Sequence, residues 1–369
     1  MNERVPYEVR LAQNGQREQK VGSADQSNHF QRWQIHFVAD CNLRCSYCST
    51  GHGALGKTPG VMPNEVWQAM MKMALDRLLP KMGVCFEFGG GETFLEYDRF
   101  IEFVHTVNRN CKARDLKANF EVATNGTLLN SERLEELARL GISLTFSIDP
   151  PEEAHDQYRR TRNGKGTFKI AFENWKRFKV LSRTIEVKPA CNIQSVITEK
   201  NSLKEVSEFW TSKDNPLVNA VVQQPSLYLS DEVLKVEHLQ ERYLSDLRTI
   251  ALDQAGRLVI PDFLKTYRGP VELYQSWKNL LFFEKERRSC RFCEDMIMVD
   301  VNGDLYPCDG FVGQDQYQIG DVFHGVDMER LNWLRKEKQS ILEVCEDCSM
   351  KVYCAGSCFA GKAESSLMS

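Results

Sequence analysis

Apolar and polar residues repeat at two periods along this chain, and the switches between them predict a series of strands and helices. From Trp33 to Ala39 every second residue is apolar, the period of a strand with one buried face, and the segment delivers Cys41 into a loop. Residues 64–79 place apolar side chains at three- and four-residue spacing, which predicts a helix with Asn64 as its cap. Val84 to Phe88 reads as the next strand and runs into Gly89-Gly90-Gly91-Glu92. Later strands are predicted at Phe120–Ala123, Leu144–Ile148, Glu186–Val196 and Ala220–Gln224, and helices at 131–140, 168–179 and 202–211. Strands that alternate with helices in this way build a parallel sheet, so the expected class is α/β, an open partial (β/α)6 TIM-like barrel. Sheets of this kind place their chemistry beyond the C-terminal strand ends, where Cys41 falls.

Outside that alternation the character of the chain changes. Residues 1–28 are polar and predict a tail; the barrel takes 29–228, a mainly helical connector 229–285, and a cysteine-rich domain 286–369. With 369 residues, 42% of them hydrophobic, the chain can bury an ample core. A net charge of −4 supplies no general attraction to nucleic acid or to an anionic membrane, so neither is expected as a partner. No apolar run reaches bilayer length and the first residues lack the apolar core of a secretory signal, which predicts a cytoplasmic protein. In that reducing setting thirteen cysteines are better explained as metal ligands than as disulfides. Ten of them fall in two motif groups, while Cys85, Cys111 and Cys191 read as small buried apolar residues.

The first group is Cys41, Cys45 and Cys48, spaced C-x3-C-x2-C with Tyr47 before the last. Three thiolates give a cubane [4Fe–4S] cluster three of its four ligands and leave one iron open. A zinc ion is the alternative these residues leave open, with His52 as the nearest fourth ligand. The spacing resembles the signature of the radical S-adenosylmethionine superfamily. That resemblance implies that the open iron binds the amino and carboxylate groups of S-adenosyl-L-methionine, whose reductive cleavage yields a 5′-deoxyadenosyl radical.

The second group begins with Cys290 and Cys293, continues to Gly303 and Cys308, and ends with Cys345, Cys348, Cys354 and Cys358 as C-x2-C-x5-C-x3-C. This order resembles the SPASM extension, a domain that carries auxiliary [4Fe–4S] clusters. By the family's interleaved ligation, Cys290, Cys293, Cys308 and Cys358 would hold one cluster and Cys345, Cys348 and Cys354 part of another. The family's usual last cysteine is missing after Cys358, so that second cluster has an open iron, has a different ligand, or belongs to a longer natural chain. A pair of interleaved zinc ribbons is the alternative for these residues.

Several segments at strand ends continue the resemblance. Gly90-Gly91-Glu92 is similar to the GGE motif that approaches the methionyl part of the cofactor, with Thr93 where proline is common. Thr124-Asn125-Gly126-Thr127 and Ser147-Ile148-Asp149 resemble segments around the cofactor. Asn125, Ser147 and Asp149 are thereby implied as contacts, and Arg159 or Arg162 as a partner of its carboxylate. Pro150-Pro151 replaces the more usual Gly-Pro, and His155-Asp156 and Asn163-Gly164-Lys165-Gly166-Thr167-Phe168 follow in family order. Asp309, directly after Cys308, resembles the acidic base of anaerobic sulfatase-maturating enzymes. It also has the ordinary reading of a turn residue before Gly310.

The resemblance implies an oxidoreductase that abstracts hydrogen from an unactivated carbon in a peptide or protein side chain, giving oxidation or a cross-link. A reductase such as flavodoxin or ferredoxin would supply the electron. Only forty residues precede Cys41, which weighs against a fused peptide-recognition domain. Two alternatives remain: a small-molecule alcohol dehydrogenase or epimerase, for which Cys191 is the thiol to test, and a metal-stabilised binding module without turnover.

Overall fold

The structure, a computed structural model, describes residues 30–211 apart from 49 and 54–58, the strand 220–223, residues 242, 245, 246 and 249, and residues 293–343. The expected tail, most of the connector, and Cys290, Cys345, Cys348, Cys354 and Cys358 lie outside the described residues. Six strands follow one another as parallel neighbours: β1 Arg32–Ile35, β2 Gly83–Phe88, β3 Lys117–Thr124, β4 Ser143–Ser147, β5 Cys191–Val196 and β6 Ala220–Gln223. The helices between them are α1 Asn64–Asp76, α2 Tyr97–Ala113, α3 Ser131–Arg139, α4 Glu152–Tyr158, α5 Phe168–Thr184 and α6 Leu203–Thr211. Neighbouring order that never reverses is single winding, in which right-handed crossovers put every helix on one side of the sheet. The other side is left as the concave interior of a partial barrel.

The burial pattern along the strands follows from that geometry. In β2, Val84, Phe86 and Phe88 are buried against the helices, whereas Cys85 and Glu87 are partly open on the inner face. Phe103 of α2 lies edge-on to Trp67, Phe86, Phe88 and Phe120, at 5.4–6.4 Å between centroids. Fully burying such a ring contributes about 1.5–3 kcal/mol, so the core sits between sheet and helices. A second aromatic set, Phe172, Trp175, Phe209 and Trp210, packs α5 onto α6. The inner face is polar instead, with Arg32 ion-paired to Glu87 and Gln34 and Glu121 beside them.

Several boundaries differ from the sequence expectation. The first strand stops at Ile35, after which Val38 makes only an isolated bridge to Val61. Asn64 is the first residue of α1 and does not cap it; Pro63 precedes the helix, and the Asn64 amide oxygen accepts from Trp67 and Arg99. The strand expected from Glu186 begins at Cys191, because Lys188 takes a left-handed conformation and Pro189 cannot donate to a ladder.

The C-terminal residues join the same sheet. β7 Met296–Val299 runs parallel to β1 on its free side, with Arg32 beside Met296 and Ile35 beside Val299, and β8 Leu305–Tyr306 pairs antiparallel to β7. A small hairpin, β9 Gly320–Asp321 and β10 Gly325–Val326, and helix α7 Met328–Glu343 complete the described part.

Candidate radical site

The loop after β1 is held from both sides. On one side it pairs antiparallel with the segment after α4: Arg44 N–H donates to Arg160 O at 2.7 Å, Ser46 N–H to Tyr158 O at 3.2 Å, and Leu43 bridges Thr161. On the other side it touches the loop after β2. Thr50 donates to the Gly90 carbonyl at 2.9 Å, and the Glu92 N–H donates to Asp40 O at 2.9 Å.

The glycines of the second loop serve this contact. Gly90 has φ +85°, and a Cβ there would enter the His36 ring. A Cβ on Gly91 would meet the Asp40 and Val38 carbonyl oxygens at 2.3 Å, and one on Gly53 would meet Gly91 Cα at 2.7 Å. Backbone therefore packs on backbone, and only residues without a Cβ allow it. Glu92, 2% exposed, accepts from Phe94 N–H, Thr124 Oγ1 and Asn125 N–H. Burial raises its pKa to about 7, against the pull of those three donors. Thr93, where the family pattern has proline, is buried with a hydroxyl that has no hydrogen-bond partner.

Around the thiols, the Leu43 N–H points at Cys41 Sγ at 3.4 Å, and the Asn125 side-chain amide approaches the same sulfur at 3.7 Å. The His52 N–H donates to Cys48 Sγ at 3.1 Å. His52 does not join two of the triad's sulfurs in a set of ligand atoms within 4.8 Å of one another, as the fourth zinc ligand the sequence offered would. Burial pushes the Cys41 thiol up to about 12 and the Cys45 thiol up to about 11, and each is raised further by the neighbouring cysteines. Thiols in such a place hold their protons unless a strongly cationic group replaces them. Among the described residues only Cys85, Glu87 and Glu121 set three ligand atoms within 4.8 Å of one another. The triad is thus spread wider than the donors of one ion, which suits a multinuclear cluster better than zinc.

Below the loop lies a buried polar network that links the remaining sequence motifs. Asp149, 1% exposed, accepts from the Tyr47 hydroxyl, from Arg159 Nε at 2.7 Å and from Val196 N–H at 2.9 Å. Burial acts to raise its pKa, but the charge of Arg159 and these bonds hold it below the usual carboxylate range. The Asp149 N–H donates to His155 Nδ1, so the neutral ring carries its proton on Nε2, toward Thr167 Oγ1 at 3.1 Å. Asp156 accepts from the N–H groups of Thr167 and Phe168, and the Pro150–Pro151 peptide is cis. Arg162 stands outside this network, half exposed, its Nη2 donating to both carboxylate oxygens of Asp40. Asp149 and Arg159 therefore already have partners within the protein. Ser147, at the end of β4, lies on the inner face with its side chain partly open.

Residues 35–188 match the profile described as the Radical SAM superfamily. The chain carries a radical SAM domain. Among relatives of this radical SAM chain, a cysteine-type anaerobic sulfatase-maturating enzyme of Clostridium perfringens (strain 13 / Type A) is 26% identical over 336 residues, covering 86% of this chain and 85% of that protein. A serine-type anaerobic sulfatase-maturating enzyme of Bacteroides thetaiotaomicron is 24% identical over 340 residues, covering 87% and 80%. Among solved structures, native anSMEcpe with bound AdoMet superposes with a TM-score of 0.70 at 24% identity, covering 89% of each chain. Streptococcus suis SuiB bound to S-adenosylmethionine gives 0.57 at 19% identity, covering 91% and 75%. These likenesses bear out the expected fold and superfamily. A radical SAM enzyme uses a [4Fe–4S] cluster with S-adenosylmethionine, and the donor set of the first loop fits that cluster.

Of the second cysteine group, the described members Cys293 and Cys308 lie at the opposite end of the sheet. Cys293, buried, precedes β7, and Cys308 follows β8; antiparallel pairing of the two strands brings them to one end of the hairpin. Because β7 is parallel to β1, that end lies beside Arg32, the far end of β1 from Cys41. The four residues of β1 span about 13 Å, at about 3.3 Å per residue. Asp309 opens a 3-10 turn, Asp309–Phe311, as the turn reading requires. Its surface is open to solvent, yet the protein crowded around its carboxyl raises its pKa.

One of the three remaining cysteines departs from expectation. Cys111 is buried as an apolar residue. Cys191 shares the parity of Ile193 and Ser195, packs against the helices, and has Lys179 and Arg183 of α5 as its charged neighbours. Cys85 is the thiol on the inner face, 4.0 Å from Glu87. The signal for this lies in the sequence: Cys85 falls at the polar parity of β2, between Val84 and Phe86.

Proposed function

We propose that this radical SAM enzyme is a SPASM-type oxidoreductase that removes hydrogen from an unactivated carbon in a peptide or protein side chain. The observation that carries the reading is the placement of two cysteine sets at opposite ends of the β1–β7 pair, with a polar inner face beside them. A substrate lying along that face meets the cofactor end first and the Cys308–Asp309 end second. Native anSMEcpe with bound AdoMet and Cp18Cys peptide, at a TM-score of 0.68, shares this fold. The relatives' names concern proteins as substrates, which supports a peptide over a free metabolite.

When bound, the cluster and S-adenosylmethionine supply a primary carbon radical. The protein's part is to hold and shield. Cys41, Cys45 and Cys48 would ligate the cluster, and Gly90 and Gly91 keep the loop against it. Ser147 and Asn125 face the cofactor from the strand ends, while Asp149 and Arg159 act from beneath. Cys290, Cys293, Cys308 and Cys358 would hold one auxiliary cluster and Cys345, Cys348 and Cys354 part of another. Asp309 would take the proton from the substrate group whose carbon has lost hydrogen. The reading carries with it a cytosolic setting and a flavodoxin- or ferredoxin-type donor.

Replacing Cys41, Cys45 and Cys48 together with Ala is expected to abolish 5′-deoxyadenosine formation under dithionite, while iron at the other cysteines remains. Wild-type cleavage by that variant would overturn the assignment. A second reading, epimerisation, draws on Cys85, the inner-face thiol able to return hydrogen to a substrate radical.

A further inference from the structure

Arg159 and Cys45 stand directly opposite each other. The hydrogen bonds Arg44–Arg160 and Ser46–Tyr158 flank the pair on either side, and the Leu43–Thr161 bridge continues the same antiparallel register. Residues opposite in such a register project their side chains to one face at about 4.5–5.5 Å between Cβ atoms. The guanidinium also lies over the Tyr47 ring, 5.2 Å from its centroid, inside the span from Cys45 to Cys48. It is 8% exposed, so solvent does little to screen its charge. Its counterion, Asp149, is shared with the Tyr47 hydroxyl and the Val196 N–H.

We infer that Arg159 is a positioning residue for charge: it keeps a fixed, buried cation against the Cys45 ligand and so raises the reduction potential of the cluster in the first loop. Reduction places one more negative charge on the cluster, and a nearby cation favours that state by Coulomb's law in a poorly screened place. Asp149 acts with the opposite sign, since its carboxylate partly cancels the guanidinium. The tyrosine clamps both.

This inference rests on the cluster assignment proposed above, and one experiment separates the two. The reconstituted full chain is titrated anaerobically and followed by electron paramagnetic resonance, reading the signal that changes when S-adenosylmethionine is added. Absence of any such signal in the wild type would sink the assignment itself. With the signal present, Arg159→Gln is expected to lower the midpoint below wild type, Asp149→Asn to raise it, and Arg159→Lys to stay near wild type. A purely structural role moves both neutral variants in the same direction or changes only cluster occupancy. Shifts of the same sign, or unchanged midpoints at full occupancy, overturn the inference. Should Arg159→Gln fail to retain its cluster, the Asp149→Asn and Arg159→Lys pair decides by the same criterion: a raised midpoint in the first against a wild-type midpoint in the second.

Discussion

A Cβ placed on Gly91 would fall 2.3 Å from the carbonyl oxygen of Asp40, the residue before the first cysteine of the triad. Gly91→Ala must therefore push the cluster loop away or strain it, at about 1–3 kcal/mol for an overpacked site. The expected result is a lower melting temperature of the apoprotein and a loss of iron from the triad after reconstitution. Gly89→Ala is the control, because nothing lies within 4 Å of its added methyl and it is not in a left-handed conformation. Equal iron retention by the two variants would mean that the loops are not packed as described.

Glu92 gives the fold a pH dependence of definite sign. Its folded pKa, about 7, lies above the ordinary 4.5, so the stability it contributes is complete below 4.5 and is lost as pH rises through 7. His36 and His155, lowered by burial to about 3 and about 4, act the other way: their contribution is present above 6.5 and is lost as pH falls. Comparing Glu92→Gln with wild type cancels the histidines. Relative to wild type, the variant is expected to gain stability steadily from pH 4.5 to beyond 7 in urea titrations. A constant difference across that range contradicts the burial of an ionising carboxyl.

Asp309 and Cys85 separate oxidation from hydrogen return. On the proposed reading the Asp309 carboxylate is the proton acceptor for oxidation, and burial, which raises its pKa, is expected to make product formation climb with pH above the usual carboxylate range. Asp309→Asn is expected to reduce oxidised product by about 10²-fold, while deuterium still passes from labelled substrate into 5′-deoxyadenosine. Cys85→Ala is expected to leave the oxidised product unchanged. If Cys85→Ala instead abolishes solvent deuterium incorporation into the product and Asp309→Asn has no effect, the enzyme is an epimerase.

The parts of this molecule written in local patterns are legible in the amino-acid sequence alone. The triad, the glycine loop and β2–β5 announce themselves through spacing and alternation, because each depends on residues a few positions apart. What escapes depends on distant pairing. Nothing near Cys45 indicates that Arg159 faces it, and nothing near Met296 indicates a place beside β1. Cys191, the thiol to test under the epimerase alternative, is turned toward α5 by the alternation of Ile193 and Ser195 with their neighbours. The family resemblance assigns the glycines at 90 and 91 to the cofactor; that their missing side chains also make room for His36 and the Asp40 backbone is a distant pairing the sequence does not display.

The pairing of β7 with β1 also sets a schedule for the ribosome. Ile35 leaves the exit tunnel with only one side of its strand able to find a partner, and the other waits for Met296, about 260 residues later. At roughly 5–20 residues per second that interval is on the order of 10–50 s. For that time the strand leading to the triad is an open edge, free to pair with another chain. Nascent copies on one message are close neighbours during the wait, and a chaperone or a slow, dilute synthesis would protect the yield of this enzyme more than any gain in the stability of its finished fold.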